Sequence, residues 1–320
     1  MARILFLALL FGSFGDAFQK VEIAARVLAK PAAELPSANL RVDASLVLIP
    51  VQVTTPLGVS VTDLKKGHFR IYEDNVEQTI THFSKDDAPL SVGLVFDASS
   101  SMHNKLHKSS EAAAAFFKTA NPEDEFFMVE FNERPRLVVP FTSDSSELYQ
   151  HIVHTRTIGR TSLLDAIHMA IQQMKKATHV RKAIVVVSDG GDNCSRYSVG
   201  QIKSALMESD VQIYAMGIFD PEDSSKKKRP AEEVNGPKLL AELAELTGGK
   251  NYKIDDLDNL PQISERIGLE LRNQYVLGYS PTDLNRDGKY RKIKLNILPP
   301  DGMPELRAQY RQGYYAPAPQ

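Results

Sequence analysis

The sequence predicts an α/β fold: a doubly wound, mostly parallel sheet, inserted in or flanked by a β-sandwich-like module. Three observations carry this prediction. Short, continuous apolar runs at 92–96, 183–187 and 211–216 suit strands buried on both faces of a parallel sheet. Helical periodicity separates and follows these runs. On either side of that region the pattern changes to short β-branched and aromatic stretches broken by turn residues. The 320-residue length suits about two domains. With 38 Lys and Arg against 40 Asp and Glu, net charge gives no general attraction to nucleic acid or anionic membrane. A single cysteine excludes an intramolecular disulfide framework and a Cys-rich zinc site.

The elements follow in chain order. Met1-Ala2-Arg3 is positively charged, residues 4–14 are apolar apart from small residues, and Gly15-Asp16-Ala17 closes the segment. This is the layout of a secretory signal peptide at 1–17, too short to span a bilayer, and it predicts export to the periplasm or the extracellular space. No cysteine follows it, which argues against a lipid anchor, and no other segment reads as a membrane span. Residues 18–40 read as a linker. The first part of the β module, 41–88, holds a run at 46–53 that Pro56-Leu57-Gly58 breaks. It continues with Phe69-Arg70-Ile71, a turn at Asp74-Asn75, and an extended stretch through Val76, Ile80 and Phe83.

The α/β domain is expected at 89–273. It adds a strand at 126–131, with 137–141 as its hairpin partner. Leu163, Ile167, Ala170, Ile171 and Met174 share one helix face, as do Val199, Ile202 and Leu206. A third helix carries Leu239, Leu240, Leu243 and Leu246, with Pro237 expected near its start, and a last helix covers 260–273. The second part of the β module, 274–316, has strands at 275–279 and 306–315. Between them Ile293, Leu295 and Ile297 alternate with Lys292, Lys294 and Asn296; the tail at 317–320 reads as frayed. About three strands per flank are marginal alone, so the two flanks are expected to join.

The chemistry concentrates at Asp97-Ala98-Ser99-Ser100-Ser101, where the first parallel strand ends. Ligands of doubly wound sheets bind beyond the carboxyl ends of the strands. A carboxylate and two hydroxyls at alternate positions there offer oxygen donors to a hard cation such as Mg²⁺. Two further groups belong to the same edge: Thr161, in Gly159-Arg160-Thr161 before a helix, and Asp189, in Ser188-Asp189-Gly190-Gly191-Asp192 after a strand.

These motifs, in this order, resemble a von Willebrand factor type A domain with a metal-ion-dependent adhesion site. The family's D-x-S-x-S falls on Asp97, Ser99 and Ser101, its isolated Thr on Thr161 and its second Asp on Asp189. The chain is similar in particular to a bacterial VWFA-related family. That likeness runs from Val42-Asp43 and Phe69-Arg70-Ile71-Tyr72-Glu73-Asp74 through Ser188–Asn193 and Leu271–Tyr279 to Gly313-Tyr314-Tyr315-Ala316-Pro317, nearly everything after residue 41. Two positions depart from the common pattern: Ser100 and Arg160 stand where Gly is frequent. Neither removes a ligand, and Arg160 puts a cation at the rim. The resemblance implies that Asp97 and Asp189 act partly through water. It also implies a Mg²⁺ (Mn²⁺ or Ca²⁺ as alternatives) that keeps an open position for an Asp or Glu carboxylate of a protein partner. A further implication is that the last helix, 260–273, shifts when the metal site changes state.

Weaker signals complete the reading. Lys226, Lys227, Lys228 and Arg229, after an acidic Asp220–Asp223 stretch, form either a rim that steers acidic partners or a solvated loop. Asp283-Leu284-Asn285-Arg286-Asp287-Gly288 copies the opening of a calcium loop, but Lys294 stands where the bidentate Glu belongs, so a hairpin turn is expected. Cys194 reads as a small tolerated residue, and His103 and His107 as surface residues on one helix face. G-x-S-x-G, a P-loop and a dinucleotide fingerprint are all absent, which argues against an enzyme. The expected function is an exported, metal-dependent protein-binding or adhesion module. A structural or assembly scaffold subunit with a structural metal site is the alternative.

Overall fold

Four strands come first: β1 (Val47–Thr54), β2 (Phe69–Glu73), β3 (Val76–Gln78) and β4 (Ile80–Ser84). The structure, a computed structural model, describes residues 46–85, 87–218 and 231–318. The expected signal peptide (1–17), linker (18–40), basic loop (220–230) and last tail residues lie outside the described residues. The turn between β2 and β3 uses Asp74 and Asn75 with φ of 46° and 68°, the left-handed pair that a tight hairpin requires.

The α/β region follows as β5 (Leu90–Asp97), α1 (Leu106–Phe117), β6 (Glu125–Phe131), β7 (Pro135–Thr142), α2 (Ser145–His154), α3 (Leu163–Met174), β8 (Arg181–Ser188), α4 (Val199–Glu208), β9 (Val211–Ile218), α5 (Ala231–Leu246), β10 (Lys250–Ile254) and α6 (Leu260–Arg272). Six strands make one sheet in the order β10-β9-β8-β5-β6-β7, parallel except for the antiparallel β6–β7 pair. Helices cover both faces, so β5 and β9 are buried along their whole length and β8 at every position but Lys182. Val92, Leu94 and Phe96 pack with α1, α2 and α6, whereas Val95, Ile184 and Val186 pack with α3, α4 and α5. Each fully buried aliphatic side chain contributes about 1.5–3 kcal/mol, so these strands anchor whatever their ends carry. Successive strands leave β5 in opposite directions, which makes its carboxyl end, beside that of β8, the topological switch point.

The last strands are β11 (Tyr275–Tyr279), β12 (Tyr290–Ile297), β13 (Arg307–Gln309) and β14 (Gly313–Tyr315). Strands from both flanks pair into two four-stranded sheets, β13-β1-β11-β4 and β14-β12-β2-β3. The sheets share one core of Ile49, Val51, Phe69, Ile71, Tyr275, Leu277, Tyr279 and Ile293. Glu73, buried in it, accepts hydrogen bonds from the Tyr279 and Tyr314 hydroxyls (2.6 and 2.8 Å). No helix among the described residues is long and apolar enough to cross a membrane.

Four local expectations change. The run at 306–315 is two short strands, one in each sheet, because the chain crosses between sheets at Tyr310–Gln312. The stretch at 76–83 likewise divides into β3 and β4 of different sheets. The segment 283–288 is a crossover rather than a hairpin turn, since β11 and β12 do not pair. Pro237 lies inside α5, which begins at Ala231.

Candidate metal centre

Asp97 closes β5 with a fully buried side chain. One carboxylate oxygen accepts from the Ser99 N–H (2.9 Å), and the other accepts from the Ser188 hydroxyl (2.6 Å). Ser188 ends β8 and itself accepts from the Gly190 N–H (3.0 Å). Asp97 therefore ties the turn after β5 to the loop after β8. That turn runs into a 3-10 segment, Ser100–Lys105, with Ser99 as its N-cap in extended conformation. The Ser99 and Ser101 hydroxyls lie 3.0 Å apart. Ser99 is buried and Ser101 exposed, so the pair leads from the interior to solvent.

The Thr161 loop is bound to both neighbours. Ser100 N–H donates to the Gly159 carbonyl (3.1 Å) and Ile158 N–H to that of Ala98 (2.9 Å). Thr161 N–H donates to the Asn193 side-chain oxygen (3.0 Å), while the Thr161 carbonyl accepts from Asn193 and Cys194 N–H groups (3.0 and 3.2 Å). Thr161 is 5% exposed, and its hydroxyl makes no hydrogen bond among the described residues. Arg160 is exposed at the rim and donates to the Asn193 carbonyl.

Asp189 completes the crevice. One oxygen accepts from the Gly191 N–H (3.3 Å) and the other from the Lys105 ammonium (3.5 Å). Its loop rests on the backbone of α5: Gly190, at φ 81°, abuts Gly236 so closely that a Cβ on Gly236 would lie 2.6 Å from the Gly190 carbonyl carbon. Lys105, Ser188 and Gly236 all shape the crevice without a sequence signal of their own. Ser188 stands inside the Asp189 motif, but its role exists only because β5 and β8 are neighbours.

Burial first, and then the negative charge of Asp189, pushes the Asp97 carboxyl up to about 7, against the hydrogen bonds from Ser188 and Ser99. A second negative charge beside Asp189 is thus disfavoured in the crevice, and added positive charge would relieve it. Its donors are oxygens alone: the Asp97 and Asp189 carboxyl groups and the Ser99, Ser101 and Thr161 hydroxyls. That chemistry fits a hard divalent cation. Among the described residues no group of three His, Cys, Asp or Glu side chains is placed to hold a metal, so any ion here depends on hydroxyls.

The remaining candidates separate from this site. The half-buried Cys194 thiol donates to the Glu133 carbonyl (3.7 Å), and burial raises its pKa, which disfavours the thiolate. His103 bonds the Thr157 hydroxyl (3.1 Å) from the 3-10 segment, whereas His107 on α1 pairs with Glu111 (3.5 Å), so the two do not act together. Lys226, Lys227, Lys228 and Arg229 lie outside the described residues.

Residues 92–191 match the family model of the von Willebrand factor type A domain. An uncharacterized protein of Borreliella burgdorferi is 26% identical over 182 residues, which is 51% of this chain and 53% of that protein. The chain therefore spans about half the length of the curated relative it matches. Among solved structures, a von Willebrand factor type A protein from Catenulispora acidiphila is 11% identical and covers 85% of this chain and 73% of its own, with a TM-score of 0.50, a likeness of fold. Proximal thread matrix protein 1 of the mussel byssus, solved with zinc in its MIDAS motif, is 20% identical and covers 62% of this chain and 49% of its own, with a TM-score of 0.45.

Proposed function

We propose that the α/β region, of which residues 92–191 match the von Willebrand factor type A domain, is an exported, Mg²⁺-dependent protein-binding module. Asp97, Ser99, Ser101, Thr161 and Asp189 hold the ion, with Mn²⁺ or Ca²⁺ as alternatives. The observation that supports this reading is the interlock of three loops around Asp97, which ties the segments carrying all five oxygen-bearing side chains together at the switch point of the sheet. When bound, the ion supplies an electrophilic coordination position, and an Asp or Glu carboxylate of a partner protein fills it.

This chain's own residues do the rest. Ser188 and the Ser99 N–H hold Asp97 in place, and Gly191 N–H holds Asp189. Arg160, anchored on the Asn193 carbonyl, borders the opening and favours an acidic partner. Lys226, Lys227, Lys228 and Arg229 belong to the stretch between β9 and α5 and are proposed to add to that steering. An adhesion role rather than catalysis fits the hydroxyls: Ser99 and Ser101 lie 3.0 Å apart, and among the described residues neither bonds a histidine. Export rests on the signal-peptide layout of residues 1–17, and the division of the chain into a β module at 41–88 and 274–316 around the domain at 89–273 is part of the same proposal.

The test is a crosslinking pull-down from the native exported fraction with the purified chain as bait, in Mg²⁺ and in EDTA. A partner captured in Mg²⁺ and lost in EDTA, with the fold retained, is the expected result. Capture that is equal in both would overturn the adhesion reading in favour of a scaffold.

A further inference from the structure

Lys105 is only 7% exposed, unusual for an ammonium, and it sits four residues beyond Ser101 in the same 3-10 segment that begins the metal crevice. Its ammonium has two partners: the Asp189 carboxylate (3.5 Å) and the carbonyl of Ile218, the last residue of β9 (3.3 Å). A buried ammonium is costly unless it is paired, so this lysine is kept by the charge it meets. Asp189 carries its negative charge beside the wholly buried Asp97, and Lys105 brings Asp189 a positive partner.

We propose that Lys105 is a resident counter-cation of the crevice: it supports the metal-free fold and, by repelling an incoming divalent ion and sharing Asp189 with it, lowers the site's metal affinity. The inference rests on the metal-site reading above. It adds a competitor supplied by the chain itself. Two consequences follow from one charge. Without the ion, the ammonium neutralises Asp189 and lets the loops after β5 and β8 stay together. With the ion, the same ammonium is a like charge a few ångströms away, and the interaction opposes binding.

The experiment uses the full chain and the substitution Lys105→Gln, which keeps a donor for the Ile218 carbonyl and removes the charge. Calorimetric titration with MgCl₂ is expected to show affinity raised on the order of tenfold or more. Thermal unfolding in EDTA is expected to show a lower Tm than the unsubstituted chain, with the deficit closing in saturating Mg²⁺. Equal or weaker Mg²⁺ affinity overturns the competition, and an unchanged Tm in EDTA overturns the support of the metal-free fold. If neither protein binds Mg²⁺, Mn²⁺ or Ca²⁺, the metal-site reading fails and the competition fails with it. The counter-charge is still decided in EDTA by a double-mutant cycle of Lys105→Gln with Asp189→Asn: coupling between the two sites supports it and additivity overturns it. If Lys105→Gln does not fold in EDTA, the double variant decides, because restored folding supports charge compensation and failure to restore it overturns the idea.

Discussion

Two acidic pairs in this chain meet opposite fates. At the end of β5 and β8, Asp97 and Asp189 face each other with one lysine on the Asp189 side, and the Asp97 carboxyl is pushed up to about 7, by burial foremost. In the crossover between β11 and β12, Asp283 and Asp287 close on Arg291, whose guanidinium bonds both carboxylates and the Asn285 carbonyl. There the two carboxyls are held below the ordinary carboxylate range, Asp283 by the Asn285 N–H and Arg291, Asp287 chiefly by the Lys289 N–H. By sequence the second pair copies the opening of a calcium loop but has Lys294 where the bidentate Glu belongs. In the fold an arginine already bonds both carboxylates of the second pair, whereas among the described residues the first pair meets one ammonium, on Asp189. Carboxylate spacing alone does not tell the two pairs apart; the charge that the fold brings to each does.

The largest effect expected from breaking this contrast is that of Asp97→Ala. Calorimetry should show Mg²⁺ binding weakened by about a hundredfold, the upper end of what loss of a ligand's support costs, whereas Asp283→Ala should leave Mg²⁺ affinity unchanged. Gly236→Ala comes next. Its methyl would press on Gly190 and the Asp189 carbonyl, and overpacking of this kind costs about 1–3 kcal/mol. Urea unfolding should register that loss together with weakened Mg²⁺ binding, although residue 236 carries no ligand. Ser188→Ala removes the donor to buried Asp97 and the acceptor for Gly190 N–H, a change worth about 1–3 kcal/mol. A chemical-denaturation series with and without Mg²⁺ would measure it.

The smallest effect belongs to the second pair. Arg291→Met should raise the NMR titration midpoint of Asp283 and move that of Asp287 less, because the Asn285 and Lys289 N–H groups remain, without creating Mg²⁺ affinity comparable to the first site. Because their folded-state pKa values are depressed, these carboxylates contribute stability that is present above their unfolded values and lost as pH falls through the folded ones. In Arg291→Met that acid-side loss should shrink, as read by unfolding below pH 4.

Much of this is local information. The unbroken apolar runs of β5, β8 and β9 announce strands covered on both faces, and the alternation in β12 announces one covered on a single face. Asp97, Ser99, Ser101, Thr161 and Asp189 are legible because strand ends and helix starts mark the loops of one sheet edge. Some features are not local. The split of 306–315 between two sheets depends on partners more than two hundred residues away, since β13 pairs with β1. The alanine-rich α1 and the short α2 carry weaker apolar periodicity than α3, and both form against the face of the central sheet.

By itself, the sequence determined which loops would carry oxygen donors and that they would share one edge of a parallel sheet, because side-chain periodicity and turn chemistry are set within a few residues. Only the tertiary structure decided that Ser188 would hold Asp97, that Gly236 would admit the Asp189 loop, and that a lysine would answer one carboxylate pair while an arginine satisfied the other. Those outcomes depend on distance and burial between segments that are remote in the chain, and electrostatic energy is set by that three-dimensional spacing.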